Sequence, residues 1–383
     1  MSYPLFKVHV DVPAALKNIE DVLTSGFINE GEIVTQFQKE LCKYFGSEYV
    51  VLTNSCTSSL TMALAAAGVK QGDEVITTAM TCVATNMPIL QLGATPVWAD
   101  IKSVTGNIDP SHVKQLITEK TKAIMCVDWA GLPCEMNELR DICDKNHIKL
   151  ISDGAHSLGT FYGKKHISHY ADFSCYSFQA IKHITTGDGG AVIAKNESDF
   201  KELKKLKWFG LDRDATKNAK GEWKGQRWES DITAPGYKFN MNNLAAALGL
   251  SQIPHLDDII TAHRSNGLLF ESLFKDSSLV NSLIYPQDSK PSFWVYTCLL
   301  HEKVNRDNVL RKLNELGINA GLVHIPNHEY SCFSLSKKEL PETDYFFTHQ
   351  ISLPCGWWLD KGDIKHIAST VLSACEEEFD EFS

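Results

Sequence analysis

Short apolar segments alternate with helical patterns through the first half of the chain, and this alternation constrains the fold more than any other feature. The apolar segments predict strands at residues 49–52, 74–77, 95–98, 123–127, 149–152 and 172–177. Helical patterns lie between them at residues 60–67, 83–92, 110–117 and 136–146. Strands that alternate with helices are typical of a mostly parallel sheet with helices on both faces. In such sheets, ligands bind in loops beyond the strand ends.

The pattern changes after about residue 243, where longer helices and fewer strands are predicted. Helices are predicted at residues 244–253, 259–274, 308–316 and 364–375, and a strand at residues 293–300. We therefore predict an α/β fold whose large domain, residues 12–245, has three layers, α/β/α, around a mostly parallel mixed sheet. A smaller α+β C-terminal domain is predicted over residues 246–383, together with residues 1–11. The length of 383 residues is typical of two or three domains.

Charge and cysteine content restrict the partners and the compartment. The formal net charge is −10, and a chain with no excess of positive charge is a poor binder of nucleic acid. Several of the eleven cysteines lie in apolar segments, which favours reduced, buried thiols in a cytoplasmic protein. We find no signal peptide and no apolar run of about 18 residues, so we expect no membrane span. An anionic ligand must therefore be bound by a helix terminus or by a few local cations.

A lysine lies where a nucleophilic amine is expected. Lys182 follows the predicted strand that ends at Ser177, has apolar neighbours, and precedes the Gly-rich turn 187–190. A desolvated lysine has a lowered pKa and attacks carbonyl groups, as a Schiff-base lysine must. A lysine on a polar loop is more often a solvated surface charge, so the assignment depends on this context.

Two further segments place polar groups at predicted strand ends. Asp153 directly follows the strand at 149–152, where a carboxylate either caps a helix or needs a cationic partner. The ring nitrogen of pyridoxal phosphate (PLP) is such a partner, because it must stay protonated for the ring to act as an electron sink. The stretch 53–59 is rich in small polar residues and precedes a helix, which is typical of an anion site at a helix N-terminus.

Together these segments resemble the DegT/DnrJ/EryC1/StrS sugar aminotransferases, a family of fold type I PLP enzymes in the aspartate aminotransferase superfamily. The resemblance covers nearly the whole chain, and the lysine segment 177–190 is its most specific motif. The other similar segments occur in the order expected for the family, at residues 26–31, 54–58, 93–100, 131–133, 153–156, 236–241 and 352–354.

The resemblance implies roles for the matching positions. Lys182 forms the Schiff base with PLP and later moves the proton, and Asp153 pairs with the ring nitrogen. His156 supports Asp153 or contacts the ring hydroxyl. Cys82 occupies the position at which an aromatic residue often stacks on the ring. The phosphate is bound by Ser55, Cys56, Thr57 and Ser177, with Lys238 supplied by the other subunit of a homodimer.

The implied reaction moves an amino group from an amino acid, such as glutamate, to a keto sugar. Pyridoxamine phosphate is the intermediate form of the cofactor, and a nucleotide-linked keto-deoxysugar is the expected acceptor, for surface polysaccharide or sugar biosynthesis. No metal site is predicted. Candidate contacts to the sugar or its diphosphate come from three loops and are Phe27, Asn29, Glu30, Arg213, Lys224, Arg227 and His324.

Three other interpretations stay open at this point. A sugar dehydratase that uses PLP or pyridoxamine phosphate shares the fold, but in that branch a histidine replaces the lysine. Here Lys182 fills the position and His183 follows it. A non-catalytic regulatory protein could retain the fold, although an intact pair of Lys182 and Asp153 argues against it. A nicotinamide-dependent dehydrogenase is disfavoured because no G-x-G-x-x-G motif follows the first strand.

Replacement of Lys182 tests the assignment of the Schiff-base lysine. The wild-type protein should bind PLP with the visible absorbance of an imine, and borohydride should fix the cofactor on Lys182. The Lys182→Ala variant has no amine at this position, so absorbance spectra and activity assays should both show a loss. Retention of the absorbance and the activity in this variant would place the lysine elsewhere.

Overall fold

The computed structural model describes residues 2–212, 231–232, 234–336 and 338–381. Its strands are β1 (Val50–Thr53), β2 (Glu74–Thr78), β3 (Thr95–Ala99), β4 (Ile101–Lys102), β5 (Asn107–Ile108), β6 (Thr121–Val127), β7 (Lys149–Asp153), β8 (Phe161–Tyr162), β9 (Lys165–His166), β10 (Phe173–Ser177), β11 (Gly190–Ala194), β12 (Val280–Ser282), β13 (Tyr296–Leu300) and β14 (Gln350–Leu353).

The helices cover both faces of the main sheet and dominate the C-terminal part. They are α1 (Val12–Ser25), α2 (Glu32–Phe45), α3 (Cys56–Ala66), α4 (Val83–Gln91), α5 (Pro110–Leu116), α6 (Met136–Asn146), α7 (Glu197–Leu206), α8 (Asn243–Gln252), α9 (Leu256–Phe274), α10 (Arg306–Glu315), α11 (Pro341–His349) and α12 (Lys361–Glu381). Among the described residues, none of these helices is both long enough and apolar enough to cross a lipid bilayer.

Seven strands form the central sheet in the order β1-β11-β10-β7-β6-β2-β3. Neighbours from β10 to β3 are parallel, whereas β11 is antiparallel to both β1 and β10. All residues of β11 are buried: Ala191 and Ile193 pack with α2 on one face, and Val192 and Ala194 with α3 on the other. Burial on both faces is typical of a helix-covered sheet. The predicted α/β class with a mostly parallel mixed sheet is confirmed.

The direction of the strands places the candidate site at one edge of this sheet. Strands β1, β10, β7, β6 and β2 run in the same direction, so their carboxyl ends meet at this edge, and β11 begins there. Asp153 is the last residue of β7, and Ser177 is the last residue of β10. The loops that follow these strands therefore converge, as the sequence predicts.

A second, antiparallel sheet with the order β12-β13-β14 lies in the C-terminal part. It shares a hydrophobic cluster with α9, α10 and α12, and this cluster continues into the large sheet region at Met80 and Trp129. Tyr3 joins the same part through a parallel bridge to Ile318. The domain division at residue 245 stays a prediction. That residue lies inside α8, whose Ala246 packs in the same cluster as α2.

Local backbone chemistry explains where predicted and observed elements differ. Helix α3 begins at Cys56 rather than at residue 60, because the Ser55 side chain caps it by accepting the Ser58 N–H at 3.1 Å. The strand predicted at residues 293–300 begins only at Tyr296, since Phe293 has a left-handed φ of 48°. Strand β11 and helices α1 and α2 were not among the predicted elements.

Gly190 is the residue at which β11 approaches the start of α3. A Cβ atom there would lie 2.6 Å from the backbone nitrogen of Cys56 and 2.7 Å from the carbonyl oxygen of Ser55. Gly190→Ala must therefore push the two segments apart, and we expect urea denaturation to show a loss of about 1–3 kcal/mol.

Gly321→Ala is the matched control, because no atom lies within 4 Å of the Cβ position at Gly321. This variant should keep the wild-type midpoint. If Gly190→Ala is equally stable, the start of α3 does not depend on the close approach of β11.

Candidate active site

A cavity at the strand-end edge collects most of the predicted site residues. Its volume is about 520 Å³, within the usual range for small-molecule sites. Leu5, Phe6, Leu322 and Val323 form an apolar part of its wall. The predicted residues that line it are Lys182, Asp153, His156, Ser55, Cys56, Thr57, Cys82, Ser177 and His324.

Lys182 lies in the loop after β10. Its Nζ is 3.6 Å from the centre of the Trp294 ring, and the indole N–H of Trp294 donates a hydrogen bond of 2.7 Å to the Ile181 carbonyl. Burial lowers the pKa of Lys182 to about 8, although the Asp153 carboxylate acts in the opposite direction. With that pKa, about a tenth of the amine is neutral and nucleophilic at pH 7.

Asp153, only 4% exposed, is held by two short hydrogen bonds and by a longer one of 4.0 Å from the Cys56 thiol. Its Oδ2 accepts from the Thr85 hydroxyl at 2.7 Å, and its Oδ1 accepts from the Ala155 N–H at 3.0 Å. Desolvation raises the pKa of Asp153 in spite of these donors. A cationic group bound in the cavity would reverse this effect, because an opposite charge favours the ionised carboxylate.

His156 and His324 stack beside Trp294. The ring centres of His156 and Trp294 are 4.0 Å apart, and those of His156 and His324 are 5.3 Å apart. The two Nε2 atoms are 3.4 Å apart. Burial lowers the pKa of His156 well below its ordinary value and, with the charge of Lys182, lowers the pKa of His324 to about 3. Both imidazoles are therefore neutral at pH 7.

The N-terminus of α3 provides an anion site in the same cavity. Cys56 and Thr57 lie in the first turn of α3, where the backbone N–H groups have no intrahelical acceptor. Ser55 keeps the turn in place as the capping residue. The end of β10 adds the hydroxyl of Ser177, whose Oγ accepts the Gln179 N–H at 3.3 Å. Free N–H groups at a helix N-terminus are well suited to a phosphate.

These groups fit the parts of PLP, which has a phosphate, a basic ring nitrogen, a ring hydroxyl and an aldehyde. The start of α3 suits the phosphate, and the buried Asp153 carboxylate suits a protonated ring nitrogen. The Lys182 amine suits the aldehyde because its pKa is lowered. The Nδ1 of His156 is buried and has no hydrogen-bond partner within the described part of the chain, so it is available to the hydroxyl.

Lys238 and two of the predicted sugar contacts lie outside the cavity and bond to other polar residues. Lys238 donates a hydrogen bond to the Asn240 side-chain oxygen. Asn240 in turn donates to the Asn29 side-chain oxygen at 3.2 Å. Glu30 forms an ion pair with Lys207. Within one chain, these residues therefore bond to polar groups outside the cavity rather than to Lys182.

Of the remaining predicted sugar contacts, only His324 lines the cavity in the described part of the chain. The Phe27 side chain is 59% exposed and does not line the cavity. Arg213, Lys224 and Arg227 lie outside the described residues. Of the three predicted loops, only the one that carries His324 reaches the cavity in the described part of the chain.

Sequence reasoning missed three residues of the site. Thr85 bonds to Asp153, Trp294 contacts Lys182, and Phe6 stacks on Trp294 with ring centres 4.8 Å apart. Thr85 could have been found, because it lies three residues after Cys82, one helical turn into α4. Trp294 and Phe6 gave no comparable signal, since each lies in an apolar segment that is equally typical of a hydrophobic core.

Comparison with known proteins decides the family. The sequence model of the DegT/DnrJ/EryC1/StrS aminotransferase family matches residues 11–372 of the chain. The chain belongs to this family. The predicted enzyme class, an aminotransferase, is thereby confirmed.

Two relatives of this aminotransferase show how far the similarity extends. The UDP-4-amino-4,6-dideoxy-N-acetyl-beta-L-altrosamine transaminase of Helicobacter pylori is 32% identical over 94% of both chains. A Streptococcus pneumoniae protein solved in a PLP form is 27% identical, with a TM-score of 0.89 over 99% of this chain and 100% of that one. The predicted cofactor, PLP, is confirmed.

The dehydratase branch is also represented among the solved structures. A GDP-4-keto-6-deoxymannose-3-dehydratase structure is 24% identical to this aminotransferase, with a TM-score of 0.88 over 96% of this chain and 100% of that one. This likeness shows a common fold, and the residues of the cavity must distinguish the reactions.

Thr85→Val tests whether the hydroxyl of Thr85 supports Asp153. Valine keeps the shape but removes the donor, so the pKa of Asp153 should rise further and less of the carboxylate should be ionised at neutral pH. Loss of one hydrogen bond to a charged group is worth about 1.5–3 kcal/mol, so we expect PLP to bind about 10- to 100-fold more weakly in spectroscopic titrations.

The control is Thr78→Val, which removes another buried hydroxyl, the acceptor of the Met80 N–H at 3.1 Å. It should lower stability without changing the affinity for PLP. Equal affinities in all three proteins would mean that Thr85 has no influence on Asp153.

Proposed function

We propose that this aminotransferase transfers the amino group of an amino acid, with glutamate as the expected donor, to the carbonyl of a nucleotide-linked keto-deoxysugar. The product would serve the biosynthesis of a surface polysaccharide or another amino sugar. The named relatives support the class of acceptor, because the Helicobacter pylori transaminase is named for a UDP-linked amino sugar. The observation that carries the proposal is the Lys182 amine, which shares one cavity with Asp153 and the anion site of α3.

The residues of the cavity divide the work of amino transfer. When bound, PLP supplies an electrophilic carbon and an electron sink. Asp153 holds a proton on the ring nitrogen by charge, because a buried carboxylate favours a cationic neighbour. Lys182 is the base that takes the proton from the donor carbon and later returns one at its Nζ. The backbone N–H groups at the start of α3 hold the phosphate and keep the reacting atoms in place.

The position of His183 supports transamination over dehydration. In the dehydratase branch a histidine takes the place of the lysine, and His183 is the only nearby candidate in the lysine segment 177–190. Its Nε2 is 3.4 Å from the Ser292 carbonyl oxygen, its ring packs against His263, and it does not line the cavity. Lys182 is therefore the residue of this segment whose amine can serve as base.

A homodimer with shared active sites is part of the proposal. Lys238 lies outside the cavity of its own chain, so a phosphate contact would have to be made with a second subunit. Helix α1 packs on α8 but leaves Val12, Leu16 and Leu23 exposed, and a row of exposed apolar side chains is typical of an interface. We also propose a cytoplasmic location, which the eleven unpaired cysteines support.

A panel of acceptors tests the reaction and the sugar together. The protein is converted to the pyridoxamine form with glutamate and is then mixed with nucleotide-linked 4-keto and 3-keto sugars and with free keto sugars. The true acceptor should restore the pyridoxal absorbance and yield an amino sugar by mass spectrometry. If the acceptor instead loses water and no amine is formed, the protein is a dehydratase. No reaction with any donor or acceptor would favour the non-catalytic alternative.

Subunit complementation tests the shared site. Lys182→Ala should be inactive, and Lys238→Ala should bind the cofactor weakly, because a charged hydrogen bond to the phosphate is lost. In a mixed dimer, one cavity carries both changes and the other carries neither. At a PLP concentration too low to fill Lys238→Ala, refolding the two variants together should therefore give more activity than either variant has alone. A mixture no more active than its two parents would contradict a shared site.

A further inference from the structure

Trp294 reaches the cavity because the segment before it has an unusual backbone conformation and is bonded to the loop that carries Ala130. Phe293 and Ala130 have left-handed φ values of 48° and 56°, although neither is a glycine. The Trp294 N–H donates a hydrogen bond of 2.8 Å to the Ala130 carbonyl, which ties the two segments together. Non-glycine residues keep such a conformation only where the surroundings enforce it, and these sites are often functional. Here the turn brings the Trp294 side chain to the Lys182 loop just before β13 begins.

The indole is fixed by its neighbours on several sides. Trp294 is 2% exposed. The Phe6 ring stacks on it with centres 4.8 Å apart, and the His156 ring does so at 4.0 Å. Its N–H is bonded to the Ile181 carbonyl, directly before Lys182. The indole therefore contacts Lys182 in two independent ways, through the backbone before it and through its amine.

The charged and titratable groups around the amine give it few other partners. Those whose charge interacts with that of Lys182 are Asp153, Cys56, Cys82, His156, His324 and His183. Asp188 also lines the cavity, where its Oδ1 accepts the Gly189 N–H at 2.9 Å. Burial raises the pKa of the Cys56 thiol well above its ordinary value, and the three imidazoles are neutral at pH 7 because burial lowers their pKa. Asp153 is the carboxylate that raises the pKa of Lys182, and it is assigned to the cofactor ring nitrogen. The aromatic face, with Nζ at 3.6 Å, remains as a support for the ammonium.

We propose that Trp294 is the positioning residue for the Lys182 amine, holding its ammonium form by a cation–π contact whenever Lys182 is not covalently joined to the cofactor. The inference rests on the role of Lys182 in the proposed function. Lys182 becomes free once per catalytic cycle. After it has taken the proton from the donor carbon it is an ammonium ion, and it must return a proton at a defined place. A flexible four-carbon side chain needs such a support, because a misplaced acid or base loses much of its effect.

The sign of a pKa change distinguishes this role from simple packing. A cation–π contact stabilises the ammonium, so its loss should lower the pKa of Lys182 and raise the acid dissociation constant roughly 2- to 30-fold. If Trp294 merely excludes water, its removal should hydrate the amine and raise the pKa towards its ordinary value. The two mechanisms thus predict opposite changes.

The experiment measures trace acetylation of Lys182 across pH in the full-length protein freed of cofactor, with mass spectrometry of the Lys182 peptide. Trp294→Phe keeps an aromatic face but loses the indole N–H, and Trp294→Leu loses both. We expect the pKa of Lys182 to stay near the wild-type value in W294F and to fall in W294L. An unchanged or raised pKa in W294L would overturn the proposal.

Trp98→Leu is the matched control, because Trp98 is an indole of similar burial that packs on Phe333 in a separate cluster away from the cavity. It should lower stability and leave the pKa of Lys182 unchanged. If W294L does not fold, W294M replaces it, since methionine is apolar and of closer volume but has no aromatic face. This readout does not depend on turnover, so failure of the proposed reaction and failure of the Trp294 contact can be told apart.

Discussion

Burial of the Lys182 amine in the same cavity as the Asp153 carboxylate is the interaction on which the rest of the site depends. Burial disfavours the charged form of each group, which lowers the pKa of the amine and raises that of the acid. Each charge also partly offsets the cost of the other. The pKa values of both groups are therefore shifted in the protein before any ligand enters the cavity. A ligand with a cationic centre favours the ionised Asp153 carboxylate, and an electrophilic centre on the same ligand can react with the Lys182 amine.

The central sheet fixes the positions of Asp153 and of the loop that carries Lys182. Asp153 and Ser177 end neighbouring parallel strands, β7 and β10. Asp153 is in register with Cys175, so the strand spacing and this register fix where Ser177 lies relative to it. The antiparallel strand β11 then returns beside β10, and Gly190 lets it pass against the first turn of α3. The anion site, the acid and the lysine loop are thus all fixed by the backbone. Side chains from the C-terminal part, above all Trp294 and His324, complete the wall.

Much of this arrangement could be predicted from the sequence, because alternating strands and helices force the strand ends to one edge. The residues with chemically distinctive neighbours, Lys182 and Asp153, were found for that reason. The roles of Trp294 and Phe6 could not be predicted, since an aromatic residue in an apolar segment usually belongs to the core. Likewise, β13 begins at Tyr296 rather than at residue 293 because Phe293 has a left-handed φ. Tertiary contacts impose this conformation, and the local sequence does not predict it. The helices before residue 46 were missed, and with them the surface on which a dimer would depend.

The pairing of β1 with β11 has a consequence for how the enzyme becomes active during folding. Val50 pairs with Ile193, so closing this ladder joins residues that are far apart in the sequence. Contacts between residues so distant in sequence form slowly, because loop closure costs entropy before the contact stabilises anything. The same ladder pairs Thr53 with Gly190 and so brings the Gly190 turn beside the start of α3. A ligand that binds at the start of α3 therefore stabilises the chains in which this long-range pairing has formed.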